Sequence, residues 1–177
     1  MSEAMQALYA GDVEKARELL PPDDRLSVFE AAAFGRDERL RQILVEDPSQ
    51  ATAYSDDGFT PVHLAIFGEE EEAVRILIEH GADVDALATS DIARVRPLGT
   101  AAFVRSVPLA RLLLDSGADV NGAGEGGFTP LHSAAQNGDE EFVRLLLDRG
   151  GDPMLASQQG KRPADLAEDA RVRGLLS

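Results

Sequence analysis

Apolar residues along this chain fall in short, helix-sized clusters, and the clusters recur. Three of the densest, at residues 75–78, 111–114 and 144–147, read Arg-Ile-Leu-Ile, Arg-Leu-Leu-Leu and Arg-Leu-Leu-Leu, and begin 36 and 33 residues apart. The residues between them keep the same step. Pro61, Pro97, Pro130 and Pro163 are separated by 36, 33 and 33 residues, and Gly81, Gly117 and Gly150 by 36 and 33. Three independent markers with one spacing establish an internal repeat.

Each unit reads as two short helices and a turn. In the third unit Thr60 is the N-cap, its hydroxyl placed to accept from an orphan backbone N–H. Pro61 takes the first helical position, where its missing donor costs nothing. His63 follows the cap by three residues and is placed to reach back to it, as the acid of a capping box does. Ala65 and its equivalents Ala32, Ala101, Ala134 and Ala167 are small, so a neighbouring helix can come close. Four glutamates at 69–72 open the second helix, where negative charge suits the helix dipole. Ile76 and Leu77 bury one face, and Gly81 ends the helix by turning left-handed. One hairpin of this kind cannot bury its apolar face alone, so the copies stack.

The phrases Thr129-Pro130-Leu131-His132-Ser133-Ala134-Ala135 and Gly117-Ala118-Asp119-Val120-Asn121 resemble those of ankyrin repeats, and the likeness covers essentially the whole chain. The expected fold is all-α: an ankyrin-repeat solenoid of about six stacked helix-turn-helix units with short β-hairpin-like turns, forming one domain over residues 1–177. Residues 1–26 form an N-terminal cap. Residues 27–59, 60–95, 96–128 and 129–161 are internal repeats, and 162–177 a truncated C-terminal cap. Ser27 to Glu30 reads as a capping box.

The unit at 96–128 is the least regular. Arg96 stands at its cap position and Gly99 at its histidine position, and no glycine separates its helices, the second starting near Ser106 and Pro108. The connection at 87–95 holds three extra residues and lacks the turn glycine found at Gly58 and Gly127. Arg94, Arg96, Arg105 and Arg111 fall in 18 residues without an acid. These arginines either pair with the glutamates at 69–72 or face a partner.

The resemblance implies a concave face, made by the turn tips and the first helix of each unit, at which partners bind. Tyr9, Phe34, Phe67 and Phe103 end successive first helices at spacings of 25, 33 and 36, matching the steps between the cap positions Ser2, Ser27, Thr60 and Arg96. Phe59 and Phe128 sit just before the cap. Rings at repeat spacing form a binding ladder or fill gaps between units. Gly35 and Gly68 come one position earlier than Gly138, so a shift in register would rotate Phe34 or Phe67 inward. The candidate contact set is Tyr9, Phe34, Phe59, Phe67, Arg94, Arg96, Phe103, Arg105 and Phe128.

Composition narrows the functional classes. The 177 residues carry a formal net charge of −15, which disfavours nucleic acid and an anionic membrane surface and favours a basic protein partner. There is no cysteine, so disulfide and thiolate chemistry are excluded. The chain has no basic leader or long apolar run, which sets the expectation of a soluble, cytoplasmic monomer. His63 and His132 read as helix caps and His80 as a helix-end residue, with no metal-ligand cluster. No motif of a nucleophile elbow, phosphate loop or zinc protease occurs. The glycine-rich run at 122–127 reads as a flexible hairpin tip. The expectation is a non-catalytic protein-protein interaction module without a cofactor, acting as adaptor or inhibitor. A self-assembling structural solenoid and a small-molecule or metal-dependent enzyme are the alternatives.

Overall fold

The computed structural model describes residues 2–177. Helices account for all of the regular secondary structure among them, and they follow the repeat spacing in pairs. The chain divides into two compact units, Met1–Asp83 with Ala88–Asp91, and Val84–Leu87 with Ile92–Ser177.

The first unit holds three helix pairs: α1 (Glu3–Tyr9) with α2 (Val13–Glu18), α3 (Val28–Ala33) with α4 (Asp37–Glu46), and α5 (Pro61–Phe67) with α6 (Glu71–Glu79). Their starts are set locally. Ser27 and Glu30 close the expected capping box, with the Ser27 N–H donating to Glu30 Oε2 at 3.1 Å and the Glu30 N–H to Ser27 Oγ at 3.3 Å. Asp12 caps α2 through the Lys15 N–H at 3.1 Å. At α5 the Thr60 hydroxyl takes no backbone N–H; it meets His63 Nδ1 at 2.7 Å.

The second unit holds α7 (Pro97–Phe103) with α8 (Val107–Asp115), α9 (Pro130–Asn137) with α10 (Glu140–Asp148), and the short α11 (Pro163–Leu166) with α12 (Ala170–Leu175). Ser106 caps α8 as its sequence suggests, and the Arg162 N–H donates to Asp165 Oδ2 at 2.9 Å at the start of α11. No strand forms among the described residues. The turns ahead of the first helices are hairpin-like all the same. Ser55 N–H closes on Phe59 O, Gly124 on Phe128 O and Ser157 on Lys161 O, at 2.9, 2.9 and 2.8 Å. Each turn also leans on a neighbour within its unit, Thr89 N–H on Gly58 O and Gln158 N–H on Gly126 O.

Packing depends on small residues. Ala32, Ala65, Ala101 and Ala134 are all buried to 1% exposure or less, as expected for close helix contact. Gly68 goes further: a Cβ there would lie 2.0 Å from the Ala33 carbonyl oxygen. Its φ is an ordinary −78°, so it is glycine for proximity and not for a left-handed turn. The left-handed position is the next residue, Glu69 at φ 58°, where Gly11 and Gly138 stand in other pairs. In α7 the same position is held by Arg105 at φ 59°. A non-glycine residue there costs on the order of 1 kcal/mol.

Adjacent substitutions should therefore act in opposite directions. Gly68→Ala should lower stability by about 2 kcal/mol or more through backbone overlap, while Glu69→Gly should raise it by about 0.5 kcal/mol. Chemical denaturation of the two variants checks both signs.

Candidate functional site

In the first unit the α1 and α5 ends meet. The Tyr9 ring lies edge-on to Phe67 at 5.4 Å and tilted to Phe59 at 6.2 Å. The Tyr9 hydroxyl donates to Asp57 Oδ2 at 2.7 Å, and burial, then this carboxylate, push the phenol pKa far up. Phe34 breaks the expected line of rings. Its helix ends one residue early, at Ala33, because left-handed Gly35 arrives one position sooner than Gly11 does in the first pair. Phe34 becomes the C-cap, turns inward and is only 3% exposed among Met5, Leu8 and Leu64. It is a core residue and is removed from the contact set. Phe67 keeps its register and stays half-buried.

The second unit gathers Arg94, Arg96 and Phe128 along one cleft of about 240 Å³ with Gly99, Gly122 and Gly124. Arg94 is exposed. Arg96 is already engaged: its Nε donates to Ala123 O at 3.2 Å and its Nη1 to Asp85 O. The Asp85 carboxylate in turn accepts the Asp119 N–H at 3.0 Å. Arg96 thus ties the irregular connection to the following turn. This also corrects the reading of the glycine run. A Cβ at Gly122 would stand 2.9 Å from Arg96 Cδ, and one at Gly124 would stand 2.7 Å from Arg94 O. These glycines admit close packing and do not mark a flexible tip.

Arg105 donates from Nη2 to Asn137 O at 3.1 Å, and Asn137 Nδ2 returns a bond to Ala102 O at 2.9 Å. It is a strut between α7 and α9. Its neighbour Phe103 is the most exposed of the predicted aromatics, at 70%. The glutamates at the start of α6 pair inside the first unit, Glu70 with Arg17 at 3.2 Å, Glu71 with Arg75 and Glu72 with Arg41.

The histidines hold turns. His132 Nδ1 accepts from the Thr129 N–H at 3.1 Å and lies 2.8 Å from its hydroxyl. That leaves Nε2 to donate to Lys161 O at 2.9 Å, so one buried imidazole links the start of α9 to the next turn. No group of three metal-ligating side chains occurs among the described residues. No helix among them is long and apolar enough to cross a membrane.

Among the exposed apolar residues that escaped the repeat pattern are Tyr54 at 47% and Ile92 at 73%. Both lie in turns of otherwise small or polar residues, and an isolated large side chain there is the signal that finds them. Tyr54 borders a cleft of about 240 Å³ in the first unit, formed by the turn at 54–57 with the starts of α1 and α3.

Paired short helices, small residues where they approach and hydrogen-bonded turns between them define a stacked helical-repeat protein. The chain belongs to the ankyrin-repeat family: the family model for ankyrin repeats in three copies matches residues 4–122 and 89–157. It is 33% identical over 67% of its length to the tyrosine-protein kinase Shark of Drosophila melanogaster, of which it covers 12%. It is 37% identical over 68% of its length to the B-cell lymphoma 3 protein homolog of Mus musculus, of which it covers 26%. It is also 34% identical over 63% of its length to the mouse ankyrin repeat and SOCS box protein 16, again covering 26%. The chain therefore spans only a minor part of these relatives. Ankyrin repeats are in general protein-protein interaction modules, and the family is generally non-catalytic.

Two outcomes follow from this geometry. His132→Ala strands the buried Thr129 N–H, while Lys161 O keeps the Ser157 N–H, and should cost about 1–3 kcal/mol in a denaturation curve. The second concerns pH. Burial, then the nearby Glu72 carboxylate, hold the Asp37 carboxyl above its ordinary 3.8 against a lowering by Arg41. Burial likewise raises Glu70, which Arg17 lowers and Asp37 raises further. The folded chain binds these protons more tightly than the unfolded one, so their contribution is lost as pH climbs through the raised values. Melting temperature should rise as pH falls through the raised values toward the ordinary 3.8 and 4.5, and Asp37→Asn should flatten that dependence.

Proposed function

We propose that the chain is a non-catalytic adaptor or inhibitor that binds a protein partner through the concave face implied by the ankyrin resemblance. The observation that carries this reading is Phe103, a phenylalanine 70% exposed at the end of a first helix. A large ring held in water is costly and serves as an anchor when a partner buries it. Arg94 in the neighbouring cleft adds an exposed cation in the same unit. The relatives support a module reading in a further way, because proteins as differently named as a kinase and a SOCS box protein share this segment.

The partner is a protein with a basic surface, met by a monomer in the cytoplasm. The net charge of −15 supports that choice by speeding encounter with cations. Arg96 and Arg105, whose guanidinium groups bind main-chain carbonyls, shape this surface and do not lead the contact.

The test compares partner capture by the wild-type chain and by Phe103→Ala, with circular dichroism to show that the fold is kept. Loss of a specific protein, with affinity reduced about tenfold or more, is the expected result. Equal capture by both forms would remove Phe103 from the interface. Concentration-dependent self-association in sedimentation, with no partner, would favour a self-assembling solenoid instead.

A further inference from the structure

The chain contains two asparagines, Asn121 and Asn137, and each is followed by a glycine, Gly122 and Gly138. Asparagine before glycine is the pairing at which a side-chain amide is most readily lost, because the glycine nitrogen has no side chain beside it and its backbone turns freely. Both asparagines hold parts of the second unit together. Asn121 Nδ2 donates to Gly150 O at 3.3 Å and its Oδ1 accepts the Asp152 N–H at 2.9 Å, tying two turns. Asn137 Nδ2 donates to Ala102 O at 2.9 Å, tying the end of α9 to the end of α7.

The fold guards the two pairs unequally. Attack on Asn121 needs the Gly122 nitrogen released from Asp119 O, to which it donates at 2.9 Å, and the side-chain amide pulled from both of its partners. Gly122 is buried, and a Cβ there would stand 2.9 Å from Arg96 Cδ, so the main chain has little room to turn. Asn137 is the last residue of α9, and its side chain is held through the bond to Ala102 O. Gly138 is exposed, and a Cβ there would meet nothing within 4 Å. Its N–H donates to Ala135 O at 3.1 Å, a bond of the terminal helical turn, and terminal turns open first.

We infer that Asn137 is a site of spontaneous deamidation in the folded chain, and that its conversion releases the tie between α7 and α9. The Gly138 nitrogen attacks Asn137 Cγ. The new N–Cγ bond closes a cyclic imide, the Cγ–Nδ2 bond breaks, and Nδ2 leaves as ammonia with the proton from the Gly138 nitrogen. Water then opens the imide at either carbonyl and gives aspartate or isoaspartate. One amide and one water become one carboxylic acid and one ammonia, with no oxidant or reductant. The ionised product has no donor for Ala102 O and repels that carbonyl. Isoaspartate also lengthens the main chain by one carbon at the helix end whose carbonyl Arg105 Nη2 holds. Phe103 follows Ala102 directly, so the change falls beside the exposed ring of the binding proposal, although the site itself stands without that reading.

The experiment ages the full chain in mildly alkaline buffer, folded and in parallel unfolded in guanidinium chloride, and follows each asparagine by peptide mapping with mass spectrometry. In the denaturant both Asn-Gly pairs should convert at similar rates. In the folded chain Asn137 should convert about tenfold or more faster than Asn121, since it needs only the last turn of α9 to open. Asn137→Gln keeps an amide but closes the larger imide far more slowly, and should stop the conversion at that position. Hydrogen exchange reads the consequence at the Arg105 and Ser106 amides, which donate to Ala102 O and Ala101 O. Asn137→Asp should speed their exchange several-fold, and Asn121→Asp should leave it unchanged.

Conversion of Asn121 as fast as Asn137 in the folded chain overturns the assignment. So does a folded chain in which Asn137 stays intact while the unfolded control reacts. Unchanged exchange at Arg105 and Ser106 in Asn137→Asp overturns the release of the tie. A partner lost on Phe103→Ala, with Asn137 unreactive, would sink this site and leave the binding reading standing. A reactive Asn137 in a chain whose partner survives Phe103→Ala would do the reverse.

Discussion

The structure depends on how closely the first helices of neighbouring hairpins approach. These helices are six to eight residues long in the internal repeats, too short to persist alone in water. They are held because alanines buried at 0–1% exposure let backbone pack on backbone, and because Gly68 removes even a Cβ where the Ala33 carbonyl arrives. Leucine, isoleucine and valine of the second helices then close the interior, with Leu40, Leu44, Ile76 and Leu77 fully buried in the first unit. Phe142 and Leu146 do the same in the second. With so few large aromatics in the core, volume is filled by many small contacts, and stability is a sum over neighbours.

That packing sets where the turns can go, and hydrogen bonds then fix them. His132 joins its own helix cap to the following turn, Arg96 joins Asp85 to Ala123, and Arg105 with Asn137 joins two helix ends. Most of the polar side chains that the repeat brings together are used on main-chain atoms. Among the side chains that face water are Phe103, Arg94 and the ring of Tyr54.

Much of the fold was legible because repeat spacing, prolines and capping residues act locally. Ser27, Ser106 and Asp165 start helices where their side chains say they should. What was not legible depends on distances across the fold. Phe34 turns inward because α3 is one residue shorter than α1, a difference that spacing alone leaves open. Gly68 looks like a turn glycine, yet its turn is made by Glu69 and its own task is steric. Arg96 looks like a lost cap and an exposed cation, and its guanidinium is spent on two carbonyls that lie 11 and 27 residues away. Glu30 was readable as a cap, but that it also lines a cleft required coordinates.

The claim that neighbour stacking holds the molecule together is tested most directly by native-state hydrogen exchange, read residue by residue. The hairpins flanked on both sides within their units, α3 with α4 and α9 with α10, should show the slowest exchange, and the outer pairs α1 with α2 and α11 with α12 should open first. Equal protection along the whole chain, or greater protection in those outer pairs, would contradict the account.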